Sequence, residues 1–542
     1  MKQATVALLL AAVACSSSPS SSSQSKPMAP PPVVNPTPTP GPMTRIDPTV
    51  VEETETYVIR ALPKSEYKKV GDHSIKHPLL AKPMEYFKED DKYYYVYFPK
   101  SLPEEVAARQ AQTEAVPTPA PGMAVSTKDV SPGVSAEDFT DIAPPRVPGT
   151  IRLEKVADPG LPVEGMWRAS FVVADVNGDG IPDIVAPPNR VGDGQLRVWI
   201  GNGKGSFTRW PLTFTEADGK PVSHFSIDYG AVAVGDIDGD GKMDIVSASH
   251  AGGLVSLFGD GRGKFRVVRT GLPGRDFSSQ AITLLDADGD GKLDIVAARD
   301  VGELVNGLVD KFQVRVYLYK GAQGWEWKKG IVGGFASTSL HGWDYDGSGR
   351  KAVLTGSNYT GALTLLWRSL GDGSFEPVQF DGIELYAFHF TTQPGTFGKA
   401  RVPAFADAYF SQANLPNPTR AIGISIYAFE QGKWTRHRLW RKSEGKASVS
   451  AMAIGDLDGD GLDDIVFADN EQRKLRVLFQ QPDGSFAEMD EKLEPSIASL
   501  GQWICLADLD GDGRPDIVLS RTVSSSAPNE KGGFDVYLNK AK

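Results

Sequence analysis

The sequence predicts an all-β fold, a seven-bladed β-propeller, over residues 150–542. Three observations lead to this prediction: a nine-residue Asp-rich loop recurs in the second half of the chain, apolar β-type runs flank each copy, and the copies lie 50–61 residues apart except for one gap of 170 residues, which has room for two more repeats. Repetition at a nearly fixed period is typical of repeat architectures, and units of four short strands are typical of propeller blades.

Five copies of the loop begin at Asp175, Asp236, Asp286, Asp456 and Asp508. Each carries an acidic or amide residue at positions 1, 3 and 5, Gly at position 6 and Asp at position 9. Carboxylates at alternate positions of a tight loop suit a hard, oxygen-seeking cation, and Ca²⁺ takes about six to eight oxygen ligands. Position 7 would add a backbone carbonyl, because its side chains are unrelated. Mg²⁺ fits less well, since it demands a near-octahedral shell with several waters.

The loops therefore predict about five bound Ca²⁺ ions. The predicted ligands are Asp175, Asn177, Asp179, Ile181 and Asp183 in the first loop, Asp236, Asp238, Asp240, Lys242 and Asp244 in the second, Asp286, Asp288, Asp290, Lys292 and Asp294 in the third, Asp456, Asp458, Asp460, Leu462 and Asp464 in the fourth, and Asp508, Asp510, Asp512, Arg514 and Asp516 in the fifth.

Two other interpretations of the loops are open. An EF-hand begins in the same way but needs a bidentate Glu at position 12 and a helix on each side. Position 12 offers no such ligand here, since its residues are Ala186, Ser247, Ala297, Phe467 and Leu519. The loops could also be Asp-Gly turns that bind nothing, but carboxylates at this density would repel one another strongly without a cation.

Two further repeats fit the long gap between the third and fourth loops. One begins at Asp344 and keeps Asp346 and Ser348 as weaker candidate ligands. The other begins at Pro394 and has no acidic residue at the ligand positions, so it predicts a blade without a metal. One surplus strand, residues 151–156, precedes the first loop, and the last repeat lacks an outer strand. We expect this segment to complete the last blade and close the ring.

Residues 173–185, which read Val-Ala-Asp-Val-Asn-Gly-Asp-Gly-Ile-Pro-Asp-Ile-Val, resemble the FG-GAP/VCBS repeat of bacterial surface proteins and integrin α-subunit propellers. The resemblance covers about residues 150–542. It implies a calcium-binding propeller with the metal loops on one face. It does not specify a role, because such repeats occur in adhesion proteins and in carbohydrate-active enzymes alike.

The first residues of the chain predict export. Residues 1–14 form a short apolar signal peptide, too short to span a bilayer, and the segment resembles a bacterial lipoprotein signal with Cys15 as the lipidated residue. Ser16 after Cys15 favours the outer membrane of a Gram-negative bacterium. The alternative is cleavage after Ala14, which would release a secreted chain.

Two linkers and a small segment separate the signal from the propeller. Residues 15–56 read as a Ser/Pro-rich lipid-anchored linker, 57–112 as a small α+β segment and 113–149 as a Pro-rich linker. The segment contains a predicted strand over residues 93–98 and a predicted helix that starts near Ser101.

Composition argues against nucleic acid as a partner, because the formal net charge is −11 and no basic patch stands out. Five divalent ions would offset most of that charge. No local catalytic motif is present, so an enzyme is the less favoured reading.

We therefore expect an adhesion or interaction scaffold that binds a protein or polysaccharide on the face opposite the calcium loops. The alternative is a secreted polysaccharide lyase or hydrolase on the same scaffold. Candidate partner-face residues are Trp167, Tyr229, His250, Arg299, Tyr359 and Tyr409.

Overall fold

The computed structural model describes strands within residues 50–99 and most of residues 141–542. In the second range, the residues left out are 168–169, 191–193, 223–224, 251, 275–276, 300–303, 306–307, 310–313, 329–337, 358–364, 379–386, 412–420, 444 and 524–530. The chain divides into two compact units, Met1–Val130 and Ser131–Lys542. In the part of the chain that is described, every helix falls short of the length and apolarity needed to cross a membrane.

The described residues of the first unit form two antiparallel sheets. One has the strand order β1-β2-β7-β6 and the other the order β3-β4-β5. The predicted strand over residues 93–98 is part of β7, whereas Cys15 and the helix predicted near Ser101 lie outside the described residues. The strands are β1 Val50–Glu53, β2 Tyr57–Pro63, β3 Lys68–Gly71, β4 Ser74–Lys76, β5 Met84–Glu85, β6 Lys88–Glu89 and β7 Tyr93–Pro99.

The described residues of the second unit form seven blade sheets, each built on four antiparallel strands, so the predicted seven-bladed β-propeller is confirmed. Blade 1 consists of β10 Val172–Ala174, β11 Asp183–Ala186, β12 Arg197–Gly201 and β13 Phe207–Arg209. Blade 2 consists of β15 Gly230–Gly235, β16 Asp244–Ser249, β17 Gly253–Gly259 and β18 Lys264–Val268. Blade 3 consists of β19 Ser279–Leu285, β20 Asp294–Arg299, β23 Val314–Tyr319 and β24 Trp325–Lys328.

Blades 4 to 7 are built from β25 Leu340–Trp343, β26 Ala352–Thr355, β27 Leu366–Ser369 and β28 Phe375–Pro377; β29 Ala387–Phe397, β30 Val402–Ser411, β31 Ala421–Glu430 and β32 Lys433–Ser443; β33 Met452–Gly455, β34 Asp464–Asp469, β35 Lys474–Gln480 and β36 Phe486–Met489; and β37 Leu500–Ala507, β38 Asp516–Thr522, β39 Gly533–Ala541 and β9 Ile151–Lys155. Smaller additions are β8 Arg146–Val147, β14 Thr213–Thr215, β21 Leu304–Val305, β22 Leu308–Val309 and a 3-10 turn at Gly321–Gln323.

The first strand of every blade faces the propeller axis. These inner strands contact one another in ring order, and β10 of blade 1 contacts β37 of blade 7, which closes the circle. They surround an axial cavity of about 410 Å³. The ring leaves each sheet packed between two neighbouring sheets.

The Ile-Val pair that follows position 9 of each loop explains how the blades pack. Successive side chains of a strand point to opposite faces of its sheet. In blade 1, Ile184 packs into the apolar cluster shared with blade 7, and Val185 packs into the cluster shared with blade 2. Blade 4 does the same with Val353 and Leu354, although its loop has lost position 9. Among the described residues there is one such cluster for each of the seven blade interfaces.

Closure of the ring depends on β9, which pairs antiparallel with β39 as the outer strand of blade 7. This confirms the expectation that the surplus strand before the first loop completes the last blade. Because the N-terminal strand and the C-terminal strand belong to one sheet, the ends of the propeller hold each other in place.

Residues 141–155, which end with β9, contact the outer edges of blades 5, 6 and 7, and we call this segment the strap. Asp141 accepts hydrogen bonds from the backbone N–H (2.8 Å) and hydroxyl (2.5 Å) of Ser443 in blade 5. The short strand β8 then runs parallel to β36 of blade 6. Blades 5, 6 and 7 are therefore linked by one continuous segment.

Arg146 anchors the strap to buried acids of blade 6. Its guanidinium donates to the carbonyl of Met489 at 2.8 Å and to Glu494 at 3.0 Å, and lies 3.3 Å from Glu488. Both glutamates are almost fully buried, and Arg476 pairs with Glu488 from the other side at 2.5 Å. The strap thus supplies part of the positive charge that these acids need inside the protein.

We predict that Arg146→Ala destabilises the propeller by about 1–3 kcal/mol, because it removes a cation from beside two buried carboxylates. Urea unfolding followed by tryptophan fluorescence measures the change. The matched control is Arg152→Ala in β9, whose partner Glu154 is exposed, and we expect a loss within about 0.5 kcal/mol. Equal effects of the two substitutions would contradict the anchoring role of Arg146.

Candidate metal centres

The five Asp-rich loops connect the first and second strands of blades 1, 2, 3, 6 and 7. In blade 6, Asp456 at position 1 accepts the backbone N–H of Gly459 at 2.8 Å and of Gly461 at 2.9 Å. The equivalent bonds in the other four loops measure 2.7–3.0 Å. Position 1 therefore holds the turn closed around its own carboxylate.

Glycines at positions 4 and 6 make this turn accessible to the backbone. Gly459 and Gly461 have φ angles of +81° and +82°, in the left-handed region that glycine occupies without strain. A side chain at either position would meet no neighbour within 4 Å, so conformation rather than space requires glycine. The sequence pattern had singled out only position 6.

Position 9 fastens each loop to the body of its blade. In blade 6 the buried Asp464 accepts the N–H of Leu457 and the N–H of Gln480 in strand β35, both at 2.9 Å. The other four loops repeat this pair of bonds at 2.7–3.0 Å. We call this two-ended contact the clasp. It joins strands one, two and three through a single carboxylate.

Burial makes the clasp carboxylates reluctant to ionise. It raises the pKa of Asp464 to about 8, of Asp244 to about 7, and of Asp183, Asp294 and Asp516 to about 6, and the other loop carboxylates raise it further. The two backbone N–H donors act in the opposite direction. A divalent cation among these groups would stabilise their charged forms.

Four loops bring three carboxylates close enough to share one ion, with one oxygen of each residue within 4.8 Å of the others. The Oδ1 atom of Asp510 is also buried without a hydrogen-bond partner among the described residues, which leaves it available as a ligand. Oxygen-only donor sets of this kind fit a hard divalent cation. The triads are Asp236, Asp238 and Asp244; Asp286, Asp288 and Asp290; Asp456, Asp458 and Asp460; and Asp508, Asp510 and Asp516.

The loop of blade 1 is similar but holds Asn177 at position 3. The side-chain nitrogen of Asn177 lies 2.9 Å from Asp179, so the amide contributes to the loop where the other blades have a carboxylate. Its Asp175 and Asp183 make the same backbone contacts as their equivalents. The loop geometry is thus common to all five blades.

The two degenerate repeats depart from this geometry in different ways. In blade 4, Asp344 still accepts the N–H groups of Ser348 at 3.1 Å and Gly349 at 2.9 Å, but Ala352 at position 9 removes the clasp. No acidic triad forms there among the described residues. In blade 5, the sequence from Pro394 forms a hairpin whose turn follows Phe397, and its predicted ligand positions lie mostly in strands β29 and β30.

Most candidate partner-face residues are buried. Trp167 packs against Phe534, with ring centroids 4.9 Å apart, and Arg299 and Tyr409 are at most 5% exposed. Their burial argues against direct contact with a partner, because these side chains are covered by the propeller itself. Tyr359 lies outside the described residues.

Tyr229 and His250 form a small group that spans three blades. Their rings stack at 4.7 Å, the guanidinium of Arg190 lies 5.4 Å from the Tyr229 ring, and the Ser278 hydroxyl is 3.2 Å from Nδ1 of His250. Arg190 follows β11, whereas Ser278 precedes β19. The group therefore sits at the ends of strands opposite the Asp-rich loops.

The axial cavity is lined by neutral groups. Burial lowers the pKa of His341 to about 4 and raises the pKa of the Cys505 thiol to about 12. The Cys505 thiol donates to the carbonyl of Phe171 at 3.3 Å, and the His341 and Trp503 rings lie parallel at 6.3 Å. Neither titratable side chain carries a charge near neutral pH, so the described residues that line the cavity offer no charged ligand for a cation.

Comparison with known proteins identifies the repeats. A model described as an FG-GAP-like repeat matches residues 175–247, 236–297 and 456–519. These ranges contain all five Asp-rich loops in full, which begin at Asp175, Asp236, Asp286, Asp456 and Asp508. The chain is therefore a β-propeller that carries FG-GAP-like repeats at residues 175–297 and 456–519.

Solved structures resemble the chain only distantly. BBS1N in complex with ARL6DN is 12% identical, with 72% of this chain and 98% of that chain covered and a TM-score of 0.41. The periplasmic gluconolactonase of Pseudomonas aeruginosa is also 12% identical, with coverage of 61% and 86% and a TM-score of 0.40. An ancestral GH74 enzyme is 12% identical, with 72% of this chain and 48% of that chain covered and a TM-score of 0.41. No curated protein matches the chain. At this level of similarity the matches carry no inference about activity.

The clasp predicts that positions 5 and 9 of a loop contribute differently to stability. In the presence of a calcium chelator, Asp464→Ala should lower the free energy of unfolding by about 2–4 kcal/mol, because two buried N–H groups lose their acceptor. Asp460→Ala, at an exposed position, should change it by less than about 1 kcal/mol. Chemical unfolding of both variants tests this, and a loss for Asp464→Ala no larger than the loss for Asp460→Ala would contradict the clasp.

Proposed function

We propose that this protein is a calcium-binding lipoprotein of the cell envelope whose propeller acts as an interaction scaffold. The observation that carries the proposal is the shared geometry of five Asp-rich loops, all at the same position in FG-GAP-like blades. Each loop concentrates carboxylate oxygens around one point and leaves their mutual repulsion to be offset by a cation. A partner would then bind the face away from the loops.

Calcium has a structural role in this proposal. An ion held by three or four carboxylates pins the turn between strands one and two, and the clasp transmits that restraint to strand three. Because the ion binds the folded loops and not the unfolded chain, it raises stability by about 2.7 kcal/mol per site at a free concentration one hundred times Kd.

Calcium should therefore raise the melting temperature of the full chain in a concentration-dependent way. We expect elemental analysis of the purified protein to find about five calcium ions per chain, and Mg²⁺ to stabilise the protein less. Differential scanning calorimetry across a series of buffered free-calcium concentrations measures the shift. A melting temperature that is insensitive to both calcium and chelator, with no calcium found, would refute calcium binding.

Lipid anchoring at Cys15 is a separate part of the proposal. It is supported by the short apolar segment before Cys15 and by the Ser/Pro-rich tract after it. In a Gram-negative host, we expect the wild-type chain to incorporate an alkyne-labelled fatty acid and to partition into detergent. Cys15→Ser should lose the label, whereas Cys505→Ser should keep it. Release of unlabelled wild-type protein into the medium would favour the secreted alternative.

The scaffold role and the alternative role as a carbohydrate-active enzyme predict different results with polysaccharides. A scaffold would bind a ligand without changing it. The partly exposed side chains of His250 and Arg190, which lie against the buried Tyr229 ring, support a binding surface at the end opposite the loops.

A panel of envelope and extracellular polysaccharides separates these roles. Each is incubated with the full chain, and both retention and new reducing or unsaturated ends are measured. We expect retention without cleavage, and a His250→Ala variant that retains less. The matched control is His437→Ala in β32, outside this group. Turnover of any polysaccharide would replace the scaffold role with an enzymatic one.

A further inference from the structure

The five Asp-rich loops differ at one position outside the loop itself. In each blade the clasp carboxylate accepts an N–H from a residue near the end of the third strand. The residue that comes next in the chain is therefore held close to the metal loop. We call it the cap residue. The cap residues of blades 1, 2, 3, 6 and 7 are Asn202, Asp260, Lys320, Gln481 and Lys540.

In blade 7 the cap residue is a cation that reaches the loop carboxylates. The Nζ atom of Lys540 lies 2.8 Å from Asp512 and also contacts Asp510. Asp510 belongs to the acidic triad of this loop and its side chain is only 13% exposed. The ammonium group therefore sits beside a carboxylate that a metal ion would use.

Blade 3 repeats the arrangement. Nζ of Lys320 lies 3.0 Å from Oδ2 of Asp288, another member of a triad, whose side chain is 16% exposed. Both lysines extend from the end of a buried third strand, so their backbones are fixed relative to the loops. The contact is built into the blade and is not a chance pairing of two surface side chains.

The cap residues of blades 1, 2 and 6 do not act in this way. The side-chain oxygens of Asn202 and Asp260 accept N–H groups of their own turns, at 2.8–3.1 Å. Gln481 donates to the carbonyl of Phe479 at 3.2 Å. None of the three is a cation, so none neutralises its loop.

Blade 2 does have a lysine near its loop, but in a different position. Lys242 lies within the loop and contacts Asp240 at 3.0 Å, and both side chains are exposed. Asp240 is not part of the triad of that loop, which consists of Asp236, Asp238 and Asp244. An exposed lysine of this kind can turn into solvent at little cost when an ion binds.

We infer that Lys320 and Lys540 are tethered counter-ions that divide the metal loops into two classes. This rests on the calcium-binding function proposed above. The loops of blades 1, 2 and 6 bind calcium first, whereas those of blades 3 and 7 bind it more weakly, because the ion must displace a lysine or tolerate its charge. In return, the two lysine loops keep their carboxylates paired when calcium is scarce.

The position of Lys540 gives this division a consequence for the ring. Lys540 lies on β39, opposite Arg152 of the closing strand β9. The blade that joins the two ends of the propeller is thus one whose loop carries its own cation. Closure of the ring then depends less on calcium than do the loops of blades 1, 2 and 6, whose cap residues are not cations.

Calcium titration of the full chain tests the inference. Equilibrium dialysis against radioactive calcium should show about three tight and two weaker sites for the wild-type protein. The double variant Lys320→Met/Lys540→Met should bind the last two ions about tenfold more tightly, since methionine keeps the stem and removes the charge. In chelator, both single variants should melt at a lower temperature than the wild-type protein.

Two controls isolate the cap positions. Lys542→Met removes the same charge from the same blade at an exposed site, and Lys264→Met removes an exposed lysine of strand β18 that is not among the predicted ligands. Both should leave the two weaker sites unchanged. Lys320→Met is far from the closing strand, so it keeps the test open if Lys540→Met fails to fold.

The outcomes separate the inference from the function on which it rests. Five equivalent sites in the wild-type protein, or unchanged weak sites in the double variant, would overturn the inference and leave calcium binding intact. A wild-type chain that binds no calcium at millimolar concentration would overturn the proposed calcium function, and the inference with it. Two classes of site that merge in the double variant would support both.

Discussion

The propeller depends on one constraint: every blade has two apolar faces and needs a neighbour on each. The second strand of each sheet places adjacent residues, such as Ile184 and Val185, into the clusters of two different blade interfaces. An open arc of blades would expose apolar surface at both ends, at about 25 cal/mol per Å². Completing the circle covers both exposed faces, so the first and last blades are fully packed only when the ring closes.

Closure of the ring in turn depends on the segment before the first repeat. Strand β9 completes the sheet of blade 7, and the strap carries the chain across the edges of blades 6 and 5. The N-terminal segment is joined to the C-terminal strand by the backbone hydrogen bonds of β9 and to blade 6 by the ion pairs of Arg146. Separation of the first and last blades therefore requires loss of both sets of contacts.

The Asp-rich loops are reinforcement added to this apolar framework. Blade 4 lacks the clasp and blade 5 lacks the loop, yet both keep four strands and a complete set of neighbours. In the other five blades, the clasp joins three strands through one buried carboxylate, and the outer carboxylates are left to a cation. Packing accordingly sets the architecture, while charge in the loops sets how firmly each blade is held.

The number of blades, the loop positions and the closing strand could all be predicted from the sequence, because each depends on a local pattern: Asp and Gly spacing, the Ile-Val pair, and one strand too many at the front. The clasp, the strap and the cap lysines could not, since each joins residues that are distant in the chain, such as Asp516 with Asn539 or Arg146 with Glu494. The predicted partner face depends on tertiary structure in the same way. Trp167, Arg299 and Tyr409 carry chemistry suited to binding, but burial removes them from the surface, and burial is a property of the packed ring.

Sequence alone determined the repeat and its candidate ligands, because both depend on residues within about ten positions of one another. Only the tertiary structure decided which charges meet and which side chains remain accessible. Those properties depend on what the neighbouring strands and blades place beside each residue.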